Sequence, residues 1–173
     1  MKQVYHYLYE GECEKNLVCS LMSNGRIRYG RRKKLDLWKN ELSKHIRLFN
    51  RSETVIVVFD TDVMSQYRRF VRNVILLAKH VRVVILLPQH ENLEEEIAYA
   101  CSIHPKDLPM VFYRLTSVSE FKTKFSKDRS LIRKLDTKGF DIHRIWCRGM
   151  CNGQLNLGPR SNLYWGTAKV LRS

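Results

Sequence analysis

Two stretches constrain this chain most: TVIVVFD at residues 54–60 and VRVVILL at 81–87. Each is almost continuously apolar and rich in β-branched residues, which is the pattern of a strand covered on both faces. Between them, residues 64–80 place Tyr67, Phe70, Val71, Val74 and Leu77 at helical spacing, with Arg68, Arg69 and Arg72 on the opposite stripe. Strand, helix and strand at this spacing make a βαβ unit, with parallel strands and a right-handed crossover. Parallel sheets bind ligands outside the carboxyl ends of their strands. The run 54–60 ends in Asp60, and Asp62 follows it.

A second segment changes polarity in the same way. Residues 3–10 alternate Val4, His6, Leu8 and Glu10 against Tyr5, Tyr7 and Tyr9, and aromatic and β-branched side chains suit a pleat. His6 sits among apolar positions and reads as a core histidine. Gly11 marks a turn where the backbone bends sharply or approaches a ligand, and residues 12–22 read as a helix with Leu17, Val18 and Leu21 facing the sheet. If the two strands are neighbours, Glu10, Glu14, Asp60 and Asp62 share one edge. Carboxylates so crowded repel one another, and a hard divalent cation with oxygen ligands relieves that repulsion. Taken singly, each acid also fits a plain structural role, at a helix start or in a turn.

At 173 residues, of which 44% are apolar, the chain suits one domain with its own core. Its net charge of +14 favours a polyanionic partner. Nucleic acid is expected and a membrane is not, because no run approaches the roughly 20 apolar residues of a span. The N-terminus lacks the pattern of a signal peptide, so a cytoplasmic location is expected. The five cysteines form no CxxC pair, which points to reduced thiols. His143, Cys147 and Cys151 lack a fourth partner at zinc spacing.

The remaining segments are less regular. Residues 23–34 carry Arg26, Arg28, Arg31, Arg32, Lys33 and Lys34 with two glycines, and read as a hairpin or mobile loop. With Tyr29 as a stacking surface, a phosphate or base contact and a merely solvated turn are both open. Residues 35–49 have the spacing of an amphipathic helix, with Trp38 in the core. Residues 92–101 read as a short helix whose acidic start complements the helix dipole, residues 110–115 as a fourth strand, and 117–138 as one helix ending at Gly139. Residues 140–146 read as a last strand, and 149–173 as a glycine-rich, aromatic extension.

A Glu-Gly step after the first strand and an Asp-x-Asp after a buried one resemble the Toprim fold. That fold is shared by topoisomerases, bacterial primases, RNA-maturing nucleases and the overcoming-lysogenization-defect (OLD) nucleases. Glu10-Gly11-x-x-Glu14 is most similar to the OLD and RloB-like branch, and Glu94, with Glu91 second, matches a further acid that the branch carries after its third strand. The resemblance covers residues 4–100. It implies an α/β fold with a Toprim-like, mostly parallel sheet of about four strands and helices on both faces. A catalytic core at 1–115 would carry the basic insertion at about 23–50, and a C-terminal helix and extension at 116–173 would pack on it. Val63, Met64 and Ser65 depart from the family's usual continuation of the Asp-x-Asp.

By the same resemblance, Glu10, Asp60 and Asp62 are the catalytic candidates. Glu10, Glu14, Asp60, Asp62 and Glu94 are the candidate ligands of Mg²⁺ or Mn²⁺, and the basic residues Arg26 to Lys34 named above are the nucleic-acid contacts. The implied activity is hydrolysis of phosphodiester bonds in RNA or DNA, in a phage-defence or toxin-like role. No Walker motif occurs, so an ATPase partner of the kind used in that branch would be encoded separately. The competing class is a non-catalytic nucleic-acid-binding or scaffold protein with a degenerate acidic site.

Overall fold

A computed structural model describes residues 3–62, 64–148, 157 and 161–166. Its centre is a five-stranded sheet in the order β2-β1-β3-β4-β5, and all four pairings are parallel. The strands are β1 (Tyr5–Tyr9), β2 (Arg31–Lys34), β3 (Thr54–Asp60), β4 (Val83–Gln89) and β5 (Leu163–Trp165). Among the described residues six α-helices accompany them: α1 (Glu12–Ser23), α2 (Tyr67–His80), α3 (Leu93–Ala100), α4 (Leu108–Tyr113), α5 (Val118–Phe125) and α6 (Leu131–Thr137). The chain is therefore α/β, with a wholly parallel sheet of five strands where about four were expected.

Side-chain alternation divides the interior into two layers. Tyr5, Tyr7, Tyr9, Ile56, Val58, Ile85 and Leu87 face one core, shared with Leu17 and Leu21 of α1, Ile97 of α3, Phe112 of α4, Phe121 and Phe125 of α5, and Leu131 and Leu135 of α6. Leu8, Val55, Val57, Phe59, Val84 and Leu86 face the other, shared with Trp38 and with Phe70, Val74 and Leu77 of α2. Trp38 is fully buried and stacks on Phe70 with ring centroids 4.1 Å apart, so the expectation of a core tryptophan holds. His6 is also buried, 3.8 Å from Glu53.

Several expected elements differ. Of the expected hairpin or loop at 23–34, residues 24–30 do run as a turn and loop, but Arg31–Lys34 pairs along β1 as an edge strand. Residues 35–49 form no α-helix. They turn through two short 3₁₀ segments, Leu42–Lys44 and Ile46–Leu48, while Asn73 of α2 bonds to backbone groups of Leu37, Asn40 and Leu42. The expected strand at 110–115 is helix α4, begun by Pro109 near its first turn, where a missing N–H is tolerated. The single helix over 117–138 is broken into α5 and α6 by Asp128, whose carboxylate takes Ser130, Lys134 and Tyr113 as partners. Residues 140–146 run through turns, and the last strand lies at Leu163–Trp165 instead. β4 continues past the expected end at residue 87, through Pro88 to Gln89, and β5 pairs with Val84, Ile85 and Leu86. No helix among the described residues is long and apolar enough to cross a membrane. Cys151, in the weak zinc pattern, lies outside the described residues.

Candidate active site

From β1 the chain winds outward to β2, then returns to lay β3, β4 and β5 on the other side. The winding reverses between β1 and β3, and the crevice beyond the carboxyl ends of strands at such a switch point is where open α/β sheets bind ligands. Glu10 follows β1 there and Asp60 ends β3. The Asp60 backbone N–H donates to Glu10 Oε1 at 3.1 Å, so the two acids that sequence reasoning placed at separate strand ends are adjacent.

A pocket of about 300 Å³ opens at this edge. Its acids are Glu10, Glu12, Glu14, Asp36, Asp60 and Glu94, and its two lysines are Lys39 and Lys122. Glu14 is buried in the first turn of α1. A Cβ at position 11 would lie 2.7 Å from Glu14 Oε2, so Gly11 admits that carboxylate beside the turn. Asn92 caps α3 by accepting from the Glu95 N–H at 3.1 Å, which presents Glu94 in the first turn. Lys122 of α5 reaches Glu94 at 3.3 Å and Lys39 reaches Asp36 at 3.0 Å. The Trp38 indole N–H donates to the Asp60 carbonyl at 3.1 Å, tying the end of β3 to the core.

The electrostatics of the pocket are unbalanced. Burial, then the charge of Asp36, pushes Glu10 up to about 8, against the lowering effect of its bond from the Asp60 N–H. Burial and then the charge of Glu10 push Asp60 up to about 9, with Glu14 and Asp62 adding to the rise. Glu14 is raised as well, by burial first. Among the described residues, Asp60 Oδ1 is buried without a hydrogen-bond partner, and so are both amide atoms of Gln89. Gln89 is the register partner of Asp60 on β4.

Four of the five expected ligands, Glu10, Glu14, Asp60 and Glu94, line the one pocket. Asp62 is exposed and is not among the pocket's lining residues; its N–H bonds to the Glu91 carbonyl at 3.3 Å, as that of Thr61 does at 3.1 Å. Glu91, the second choice, is exposed in the left-handed region with φ 57°. Sequence reasoning missed Asp36, Lys39, Lys122 and Gln89. Asp36 had a local signal, an acid between Leu35 and Leu37; Lys122 had none.

The donor set suits a hard cation. Among the described residues, no three His, Cys, Asp or Glu side chains are arranged to hold an ion by themselves. Mg²⁺ asks for less, commonly one or two carboxylates with water and phosphate oxygens completing its shell. Glu10 and Asp60, with the orphaned Asp60 oxygen, fit that need. Compared with family models, with curated proteins and with solved structures, the chain matches none.

The basic residues of 26–34 do not form one cradle. Arg26 pairs with Asp136 at 2.8 Å, and Arg28 bonds to the Tyr5 hydroxyl at 2.7 Å. Arg32 meets Cys19 Sγ at 2.7 Å and Lys34 meets Glu12 at 3.3 Å, both on α1. Arg31 and Lys33 project from the other face of β2.

Proposed function

We propose that this chain is a divalent-cation-dependent nuclease with a Toprim-like site, hydrolysing phosphodiester bonds in RNA or DNA. One observation carries the reading. At the switch point of a parallel sheet, Glu10 and Asp60 stand in contact in a carboxylate-lined pocket, within a chain of net charge +14. Burying like charges together is unfavourable unless a proton or a cation shares the site.

In this reading Glu10 and Asp60 would hold Mg²⁺ or Mn²⁺, with Glu14 and Glu94 in the same pocket. Such an ion, when bound, would polarise the phosphate and make a water more acidic. Glu10 has a second role open to it, because a carboxylate raised to about 8 suits a general base near neutral pH. Lys39 and Lys122 offset the charge of Asp36 and Glu94 and keep the pocket mouth open to an anion. Asp62, being exposed, serves only through a shift of its turn. The resemblance extends the proposal to a phage-defence or toxin-like effector working with a separately encoded ATPase.

A second reading, nucleic-acid binding without hydrolysis, is favoured by the exposed Asp62, which stands outside the pocket, and by the lack, among the described residues, of a ready-made three-ligand site. The test is incubation of purified protein with labelled RNA and DNA in Mg²⁺, Mn²⁺ or EDTA. Cleavage is expected with either ion, absent in EDTA, and reduced at least about 100-fold in Glu10→Gln and in Asp60→Asn. Cleavage that survives the double variant overturns the assignment, and binding with no cleavage in any metal supports the second reading.

A further inference from the structure

We propose that the face of β2 carrying Arg31 and Lys33 binds single-stranded nucleic acid, with successive phosphates on these two cations and a base stacked on Tyr29. This deepens the polynucleotide reading above and rests on it for the class of ligand.

Register divides the four cations of β2. Arg31 lies beside His6 and Lys33 beside Leu8, while Arg32 lies beside Tyr7 and Lys34 beside Tyr9. Leu8 belongs to one core and Tyr7 and Tyr9 to the other, so the basic run is split two and two. Arg32 and Lys34 are committed to α1. The Arg31 side chain is 64% exposed and lies 3.6 Å from Glu53, and among the described residues the Lys33 side chain has no hydrogen-bond or ion-pair partner. Alternate residues on a parallel strand are about 6.6 Å apart, a separation on the scale of neighbouring phosphates in an extended single strand.

Tyr29 is 80% exposed, yet its backbone is held on both sides. Arg28, one residue earlier, lies over the Tyr5 ring at 5.3 Å, and its carbonyl accepts from the Tyr7 hydroxyl at 2.7 Å. Gly30, one residue later, packs so closely that a Cβ there would stand 2.6 Å from the Tyr5 carbonyl oxygen. A pocket of about 510 Å³ lies between this ring, Arg31, Lys33, His6 and Leu48, and Leu48 is itself 45% exposed.

Charge on an edge strand is, by itself, a defence against edge-to-edge pairing. Such a defence does not need an aromatic ring in water beside an exposed leucine. Positive charge, a rigid aromatic face and an apolar floor are the combination that holds single strands, through phosphate contacts and base stacking. Duplexes keep their base faces stacked internally and leave Tyr29 without a role. A second copy of the chain is disfavoured, because RRKK would face RRKK.

The test is fluorescence anisotropy with labelled single-stranded RNA and DNA 20-mers and a duplex control, in EDTA so that cleavage does not intervene. Tyr29→Ala is expected to weaken single-strand binding about tenfold, leave duplex binding unchanged, and be rescued by Tyr29→Phe. Arg31→Ala with Lys33→Ala is expected to lower the salt slope by about 1.4, from two lost phosphate contacts. Arg68→Ala, an equal loss of charge per residue elsewhere, is expected to change affinity less than about threefold. Wild-type affinity in Tyr29→Ala, a loss in Arg68→Ala as large as in the β2 variants, or displacement of the 20-mer by micromolar mononucleotide each overturns the proposal. Binding and cleavage are read separately. Protein that binds through Tyr29 but never cleaves contradicts the hydrolase reading alone. Protein that cleaves while Tyr29→Ala binds normally contradicts this site alone.

Discussion

Asp60 shows the conflict at the scale of one residue. Its carboxyl is raised to about 9 and that of Glu10 to about 8, in both cases by burial first. In an unfolded chain both titrate near 4. A carboxyl raised on folding binds its proton more tightly in the native state, so its contribution to stability is fully present below about pH 4 and is lost as pH rises through about 8 to 9. Metal-free protein is therefore expected to melt at a lower temperature at pH 9 than at pH 6. Asp60→Asn should flatten that dependence, and Mn²⁺ should raise the melting temperature more at pH 9 than at pH 6. Scanning calorimetry across this range checks all three. A melting temperature that rises from pH 6 to pH 9, equally in both proteins, would contradict the repulsive pocket. Glu10, Glu14 and Asp60 were legible because an apolar run that ends in an acid marks a strand end or a helix start, whereas Glu94 was named through the resemblance. Lys122 was not legible, since it reaches the pocket from a distant helix, while Asp36, an acid between two leucines, reaches it from a turn.

Among the elements, the legible ones owe their form to burial. β3 appears at Thr54–Asp60 as its composition requires, and α1 and α2 follow their apolar stripes. The illegible ones answer to tertiary partners. Arg31–Lys34 has almost no apolar content and becomes a strand because β1 offers it a free edge. Residues 35–49 have a helical stripe, yet Asn73 and the buried Trp38 hold them in turns. Gly30 decides whether β2 docks at all, because any Cβ meets the Tyr5 backbone, which cannot yield as a side-chain tip can. Gly30→Ala is expected to cost about 1–3 kcal/mol by overpacking and to weaken single-strand binding with it, as denaturant melts and anisotropy would register. A variant as stable as the wild type would mean that β2 is not seated so closely.

On the scale of the whole molecule, the sheet gathers acid at one edge of a chain with net charge +14. In the proposed function the surrounding positive charge would draw in a polyanion, while the pocket would repel phosphate until a cation entered it. The reversal of winding between β1 and β3 sets Glu10 against Asp60, and no neighbouring pair in the sequence encodes that meeting. The most direct test is crystallography of the full chain soaked in Mn²⁺, read by anomalous scattering. The account predicts a Mn²⁺ peak within about 2–2.5 Å of oxygens from both Glu10 and Asp60, absent in Asp60→Asn. An ordered pocket with no peak at saturating Mn²⁺, or a peak that touches neither residue, would contradict it.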